Sequence, residues 1–193
     1  MSIAAVAIAW SAYQSTRWSG IMSINFSQAS VDRAESVRRT DVAGFQVLAD
    51  VIIFADWVAA VSEKDFERAA SFRARMDGEL GEAMNRWLGD WAPGDDIPEG
   101  DPFDEGSYVS PIATASSERA QEAEERFSKA LKANQTSDNY ILATVVFAST
   151  LFFAGISSRF ESLAVIRMFV VLAIVFLVAG FVFTLFEPVT VSV

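Results

Sequence analysis

Histidine and cysteine are both absent from the 193 residues. Without histidine there is no Ser-His-Asp or Cys-His relay, and no imidazole titrating near neutral pH. Without either residue there is no ordinary zinc site, no iron–sulfur cluster and no His or Cys ligation of haem. Disulfides are excluded, which fits any compartment. No Gly-rich phosphate loop of the nucleotide-binding type is present. Proline is scarce: four of the five prolines lie between 93 and 111. Basic residues are outnumbered, 15 Lys and Arg against 25 Asp and Glu, for a net charge of −10. Of these charges only Arg159, Arg167, Glu161 and Glu187 follow Asp138, and they cancel. All the net negative charge therefore precedes residue 139. Such a region repels phosphate backbones, so nucleic acid is not an expected partner.

What the chain has in quantity is apolar sequence: 52% of residues are hydrophobic. The excess is concentrated at the end. Asn139–Ile156 reads NYILATVVFASTLFFAGI, and Leu163–Phe186 reads LAVIRMFVVLAIVFLVAGFVFTLF, with no charge from Met168 onward. At 1.5 Å per helical residue the second run crosses a hydrocarbon core about 30 Å thick. Residues 139–193 are thus expected to form a transmembrane helical hairpin turning at 157–162, with the lipid bilayer as partner. Ile3–Tyr13 reads IAAVAIAWSAY, only about half a span. No basic stretch precedes it and no convincing cleavage site follows, so a signal peptide fits poorly. Two readings stand. The favoured one makes 1–24 a membrane helix continuing through Gln14–Ile24. The other lays the segment at the interface with Trp10, Tyr13 and Trp18 at headgroup level. Arg17, Tyr140, Arg159 and Arg167 are the other expected interface anchors.

Two short boxes carry a resemblance. AWSAYQ at Ala9–Gln14, followed by RWSG at Arg17–Gly20, and NYILAT at Asn139–Thr144, with FFAGIS at Phe152–Ser157, are similar to an uncharacterised family of small bacterial multi-spanning membrane proteins. The resemblance implies a topology and a bacterial inner-membrane location, and no activity. Relatives typically carry a longer apolar run before the first box, and this chain departs from them there.

Between the boxes, 25–138 reads as an acidic helical extramembrane domain. Phe45, Leu48, Ile52, Ala55 and Ala59 recur at steps of three and four, with Val51, Phe54, Val58 and Val61 widening the stripe. Val42–Val61 is apolar enough to suggest a further span. Asp50 and Asp56 oppose this, at about 2.5–3.5 kcal/mol each for an ionised group at membrane depth. The expectation is an amphipathic helix whose stripe, with Phe66, Leu80, Trp87 and Trp91, is mostly core. Ser62, with Asp65 three residues on, suggests a capping box for the next helix, on which Phe66, Ala69, Met76, Leu80, Ala83, Trp87 and Trp91 share a face. Prolines and glycines make 92–111 a loop. Its acids, Asp95, Asp96, Glu99, Asp101, Asp104 and Glu105, form at most a weak Ca²⁺ candidate, because the EF-hand spacing fails. Helical pattern returns over 115–134, capped by Ser116 or Ser117. With nothing breaking it before Tyr140, this arm is expected to run on into the bilayer and to pack antiparallel on the helices of 28–91.

No catalytic constellation is present, and no cofactor is expected. The leading expectation is a non-enzymatic integral membrane scaffold or interaction protein. It would be a homo-oligomer, with a protein partner for the helical domain as a further possibility. The alternative is an oligomeric channel lined by Thr144, Ser149 and Thr150. Arg159 and Arg167 flank a short turn, and short loops weigh most in the positive-inside rule. The turn is therefore expected in the cytoplasm and the acidic domain outside it.

Overall fold

The computed structural model describes residues 2–104, 108 and 110–190. Among these there are five helices and no strand: α1 (Ser2–Ser62), α2 (Phe66–Arg73), α3 (Gly78–Leu88), α4 (Pro111–Ser157) and α5 (Leu163–Leu185). The protein is all-α. Three of the helices, α1, α4 and α5, are long and apolar enough to cross a membrane, with mean hydropathies of 1.7, 1.9 and 2.9 over their most apolar stretches. This is the build of a multi-pass membrane protein. In α1, the run 3–13 gives way to Gln14, Ser15, Thr16 and Arg17, and the longer apolar stretch is 42–61.

The chain forms two compact units, Met1–Ser30 with Glu124–Val193, and Val31–Ala123. Their boundaries fall inside α1 and α4, both of which run unbroken through them. Neither helix contains an internal proline that would stop it.

In the first unit, small residues form the contact faces. Ala4, Ala7, Ser11 and Gln14 of α1 recur at steps of three and four and are buried, as are Ala130, Ala133, Ser137, Tyr140, Ala143 and Phe147 of α4. Small side chains let helix backbones approach closely, which is how helices associate where lipid removes the hydrophobic drive. α1 and α4 run antiparallel: Ala7 packs with Ala143 and Phe147, Ser15 bonds Ser137, and Phe26 meets Phe127 edge to face at 5.4 Å. α5 returns along α4, with Phe153 against Phe176 (5.4 Å) and Phe147 against Phe181 (5.2 Å).

The second unit has its own core. Trp57, Ala60 and Val61 of α1 pack against Ala69 of α2, Met76, and Leu80 and Met84 of α3. Around Trp57 stand Trp91 at 5.4 Å and Trp87 at 6.2 Å, and Phe54 meets Trp87 and Phe103 edge to face. Here too α4 runs antiparallel to α1: Arg119 lies 3.7 Å from Asp32, and Ser36 and Ser116 exchange hydrogen bonds onto each other's carbonyls.

Four expectations are corrected. The stripe Phe45, Leu48, Ile52, Ala55 and Ala59 is exposed rather than core; the buried side of this stretch is the opposite arc through Phe54, Trp57 and Val61. Phe66 is likewise exposed. Helix 66–91 is two helices, broken between Ala74 and Asp77; the second ends where Gly89 takes φ 52°, a conformation that favours glycine. Asp65, not Ser62, caps α2: its Oδ1 accepts from Arg68 N at 3.0 Å, while the Ser62 hydroxyl bonds back to Val58 O. Finally, α4 starts at Pro111, earlier than expected. Proline suits the first helical position because its missing N–H would be unpaired there. Ser110 is the cap, its Oγ accepting from Ala113 N at 3.3 Å.

Candidate functional site

The two sequence boxes meet in the first unit, and what they hold is the segment that follows α5. α5 stops at Leu185, and Pro188 cannot continue a helix. The segment beyond lies against residues of both boxes. Trp18 Nε1 donates to Pro188 O at 3.1 Å, and Tyr140 Oη donates to the same oxygen at 3.2 Å. The Gln14 side-chain amide donates to Thr190 O at 3.1 Å and accepts from Thr190 N at 3.1 Å and Thr190 Oγ1 at 2.9 Å. Asn139 Nδ2 donates to Glu187 Oε1 at 2.8 Å. Apart from the Thr190 hydroxyl and the Glu187 carboxylate, every tail group recognised is main chain. Gln14 is fully buried, so its amide would be costly to leave unpaired.

Directly behind this clamp is a serine cluster. Ser137 Oγ lies 3.0 Å from both Ser15 Oγ and Ser19 Oγ, and donates to Ser15 O at 3.0 Å. Among the described residues these three hydroxyls bond one another and backbone, not a carboxylate or an amine. An activated serine needs such a base within reach. The hydroxyls instead join α1 to α4. Ser11 Oγ is buried without a hydrogen-bond partner among the described residues.

The expected anchors divide. Trp10 and Tyr13 are exposed, their rings 5.9 Å apart, and Arg159 and Arg167 are exposed at the turn side. Arg17 and Trp18 are half-buried. The Tyr140 side chain is fully buried in the bundle, with its hydroxyl donating to Pro188 O. The expected pore hydroxyls bond back to their own helix, Thr144 to Tyr140 O, Ser149 to Val145 O and Thr150 to Val146 O. Thr150 is buried and the other two are half-buried.

The described loop acids lie apart from one another. Among the described residues no three carboxylates come together to hold an ion, so Asp95, Asp96, Glu99, Asp101 and Asp104 are not gathered as the Ca²⁺ expectation required. Glu105 lies outside the described residues. Asp95 and Asp101 instead accept from the backbone N–H groups of Ala92 (2.9 Å) and Phe103 (2.8 Å), as turn-forming acids do. The loop also covers the tryptophans: Trp87 Nε1 donates to Glu99 O and Trp91 Nε1 to Asp95 O, both at 3.3 Å.

Two charged groupings mark the second unit. Tyr108 donates to Asp50 Oδ2 at 2.6 Å. Burial raises its phenol pKa, and the bond to Asp50 and the Asp50 and Glu79 charges push the same way. Hydrogen bonds from Arg38 and Arg39 lower the Glu35 carboxyl from 4.5 to about 2.

Sequence reasoning singled out both boxes but not their shared target. The tail's role was hidden because its contribution is carbonyl and amide groups, which every residue has. The available signal was Gln14 itself, an amide following an apolar run. No protein-family model, curated protein or solved structure matches the chain.

Proposed function

We propose that this chain is a non-enzymatic scaffold or interaction protein of the bacterial inner membrane, self-associating through its helices. The observation that carries the reading is how the boxes use their polar groups. Gln14, Trp18 and Tyr140 bind main chain, Asn139 binds Glu187, and Ser15, Ser19 and Ser137 bind one another and backbone. These are bonds that fix helices and a tail. The back-bonded hydroxyls of Thr144, Ser149 and Thr150 support helix packing over a conducting path, since such bonds satisfy a hydroxyl inside its own helix.

In this reading the third span is 3–24, packed on α4, rather than the more apolar 42–61 that carries Asp50 and Asp56, and the second unit stands outside the cytoplasm. The exposed Arg159 and Arg167 at the short turn support this orientation. The test has two parts. Purified protein in planar bilayers should show no unitary conductance; reproducible channel openings would overturn the scaffold reading. In intact cells Ser71→Cys should react with a membrane-impermeant thiol reagent and Ser158→Cys only after permeabilisation. The reverse pattern would invert the topology.

A further inference from the structure

We infer that the exposed stripe of α1 formed by Phe45, Leu48, Ile52, Ala55 and Ala59 is a seam on which a second copy of this chain docks. The inference rests on the self-association proposed above and says where it happens. The five positions follow one another at steps of three, four, three and four, the spacing of a coiled-coil seam rather than of a broad core-facing arc. Phe45 is 73% exposed, Leu48 58% and Ile52 55%. No charged side chain lies within the seam.

The opposite arc of the same stretch is already occupied by the α2 and α3 core. The seam is therefore surplus apolar surface on a helix whose other side is fixed. Burying it and its flanks on two copies removes on the order of 1,000 Å², about the smallest area a specific interface needs. A two-fold axis makes the patch self-complementary, each seam residue meeting its own counterpart. Ala55 and Ala59 allow the closest approach, and the larger Phe45 and Leu48 fill the space where the helices diverge.

Lipid is the competing occupant of an apolar face. It is disfavoured here because the same stretch carries exposed Asp56, and the unit packed on its back carries Glu63, Arg68 and Glu79. Ionised groups are expensive at bilayer depth.

The chain has no cysteine, so each introduced thiol is the only one. Leu48→Cys, Ile52→Cys and Ala55→Cys, in full-length protein reconstituted in lipid, should form disulfide dimers on mild oxidation. Ser71→Cys, exposed on α2, should give only background. The triple variant Phe45→Glu, Leu48→Glu, Ile52→Glu should lower the protein mass in lipid discs to the 21.1 kDa monomer. Its helical circular dichroism should be unchanged, because the replaced side chains are exposed. Seam thiols that pair no more than Ser71→Cys would overturn the seam. So would an unaltered oligomer in the triple variant, and both outcomes would leave self-association standing elsewhere. Quenching of seam-attached fluorophores by nitroxide lipids would overturn it in favour of lipid. A monomeric unmodified chain in lipid would remove the seam and the self-association reading together.

Discussion

The ring of Phe147 occupies the space that a side chain at Gly180 would need: a Cβ placed there would lie 2.6 Å from Phe147 Cε1 and 2.9 Å from Cδ1. Phe147 is itself 1% exposed and packed against Phe181, so it has little room to turn away. The contact sets how closely α4 and α5 approach. Gly180→Ala should destabilise the bundle by about 1–3 kcal/mol, the usual range for overpacking. Thermal unfolding in detergent measures it. Adding Phe147→Leu should restore part of the loss, and an additive double variant would show that the two positions do not share the contact.

Gln14 anchors the tail with three hydrogen bonds. Gln14→Leu should cost about 1–3 kcal/mol, the penalty for leaving buried partners unpaired. It should also speed amide hydrogen exchange at Thr190, whose N–H donates to Gln14 Oε1. Trp18→Phe should release the tail less, because Tyr140 still donates to Pro188 O. Equal tail release by both variants would count against Gln14 as the main holder.

Asp65 and Ser62 make opposite predictions from neighbouring positions. Asp65→Ala removes the cap of α2 and should cost about 1 kcal/mol. Ser62→Ala removes only a bond to its own helix and should stay within about 0.5 kcal/mol. Melting of the two variants distinguishes the true cap from the one suggested by sequence.

Glu35 supplies an acid-range dependence. Its folded-state pKa, about 2, lies below the ordinary 4.5. Its contribution is therefore complete above pH 4.5 and is lost as pH falls toward 2. The ion pairs with Arg38 and Arg39 are solvent-exposed, so the effect is small. Glu35→Gln should flatten the stability profile in that window only, as followed by denaturant unfolding at stepped pH.

Tyr108 acts at the other end of the scale. Its pKa is raised above the ordinary 10.0, so its contribution is present below pH 10 and is lost as pH climbs through the higher folded-state value. Asp50→Asn should bring the phenol titration down but not to the ordinary value, because burial is the larger cause. Ultraviolet difference titration against Tyr108→Phe isolates this group.

The apolar runs of α4 and α5 were legible because length and composition alone meet the requirement for crossing a bilayer. The stretch 42–61 shows where legibility fails. Its periodicity says that an apolar arc exists, yet apolar arcs lie on opposite sides of the helix, and only packing tells which one is covered. Trp57 and Val61 face the Leu80–Met84 surface, and that choice leaves Phe45, Leu48 and Ile52 outside. The caps were misplaced for a related reason: Ser62 and Asp65 are both suitable residue types, and the winner depends on where α1 actually stops.

By itself the sequence determined that the protein is helical, that its end is membrane-spanning, and that histidine and cysteine chemistry is excluded. These follow from residue types and from periodicities that hold within one helix. Tertiary structure alone decided that Gln14, Trp18 and Tyr140 close on Pro188 and Thr190, and that the carbonyls of Glu99 and Asp95 cap the indoles of Trp87 and Trp91. Those contacts join residues as much as 176 positions apart through main-chain atoms that carry no sequence signature.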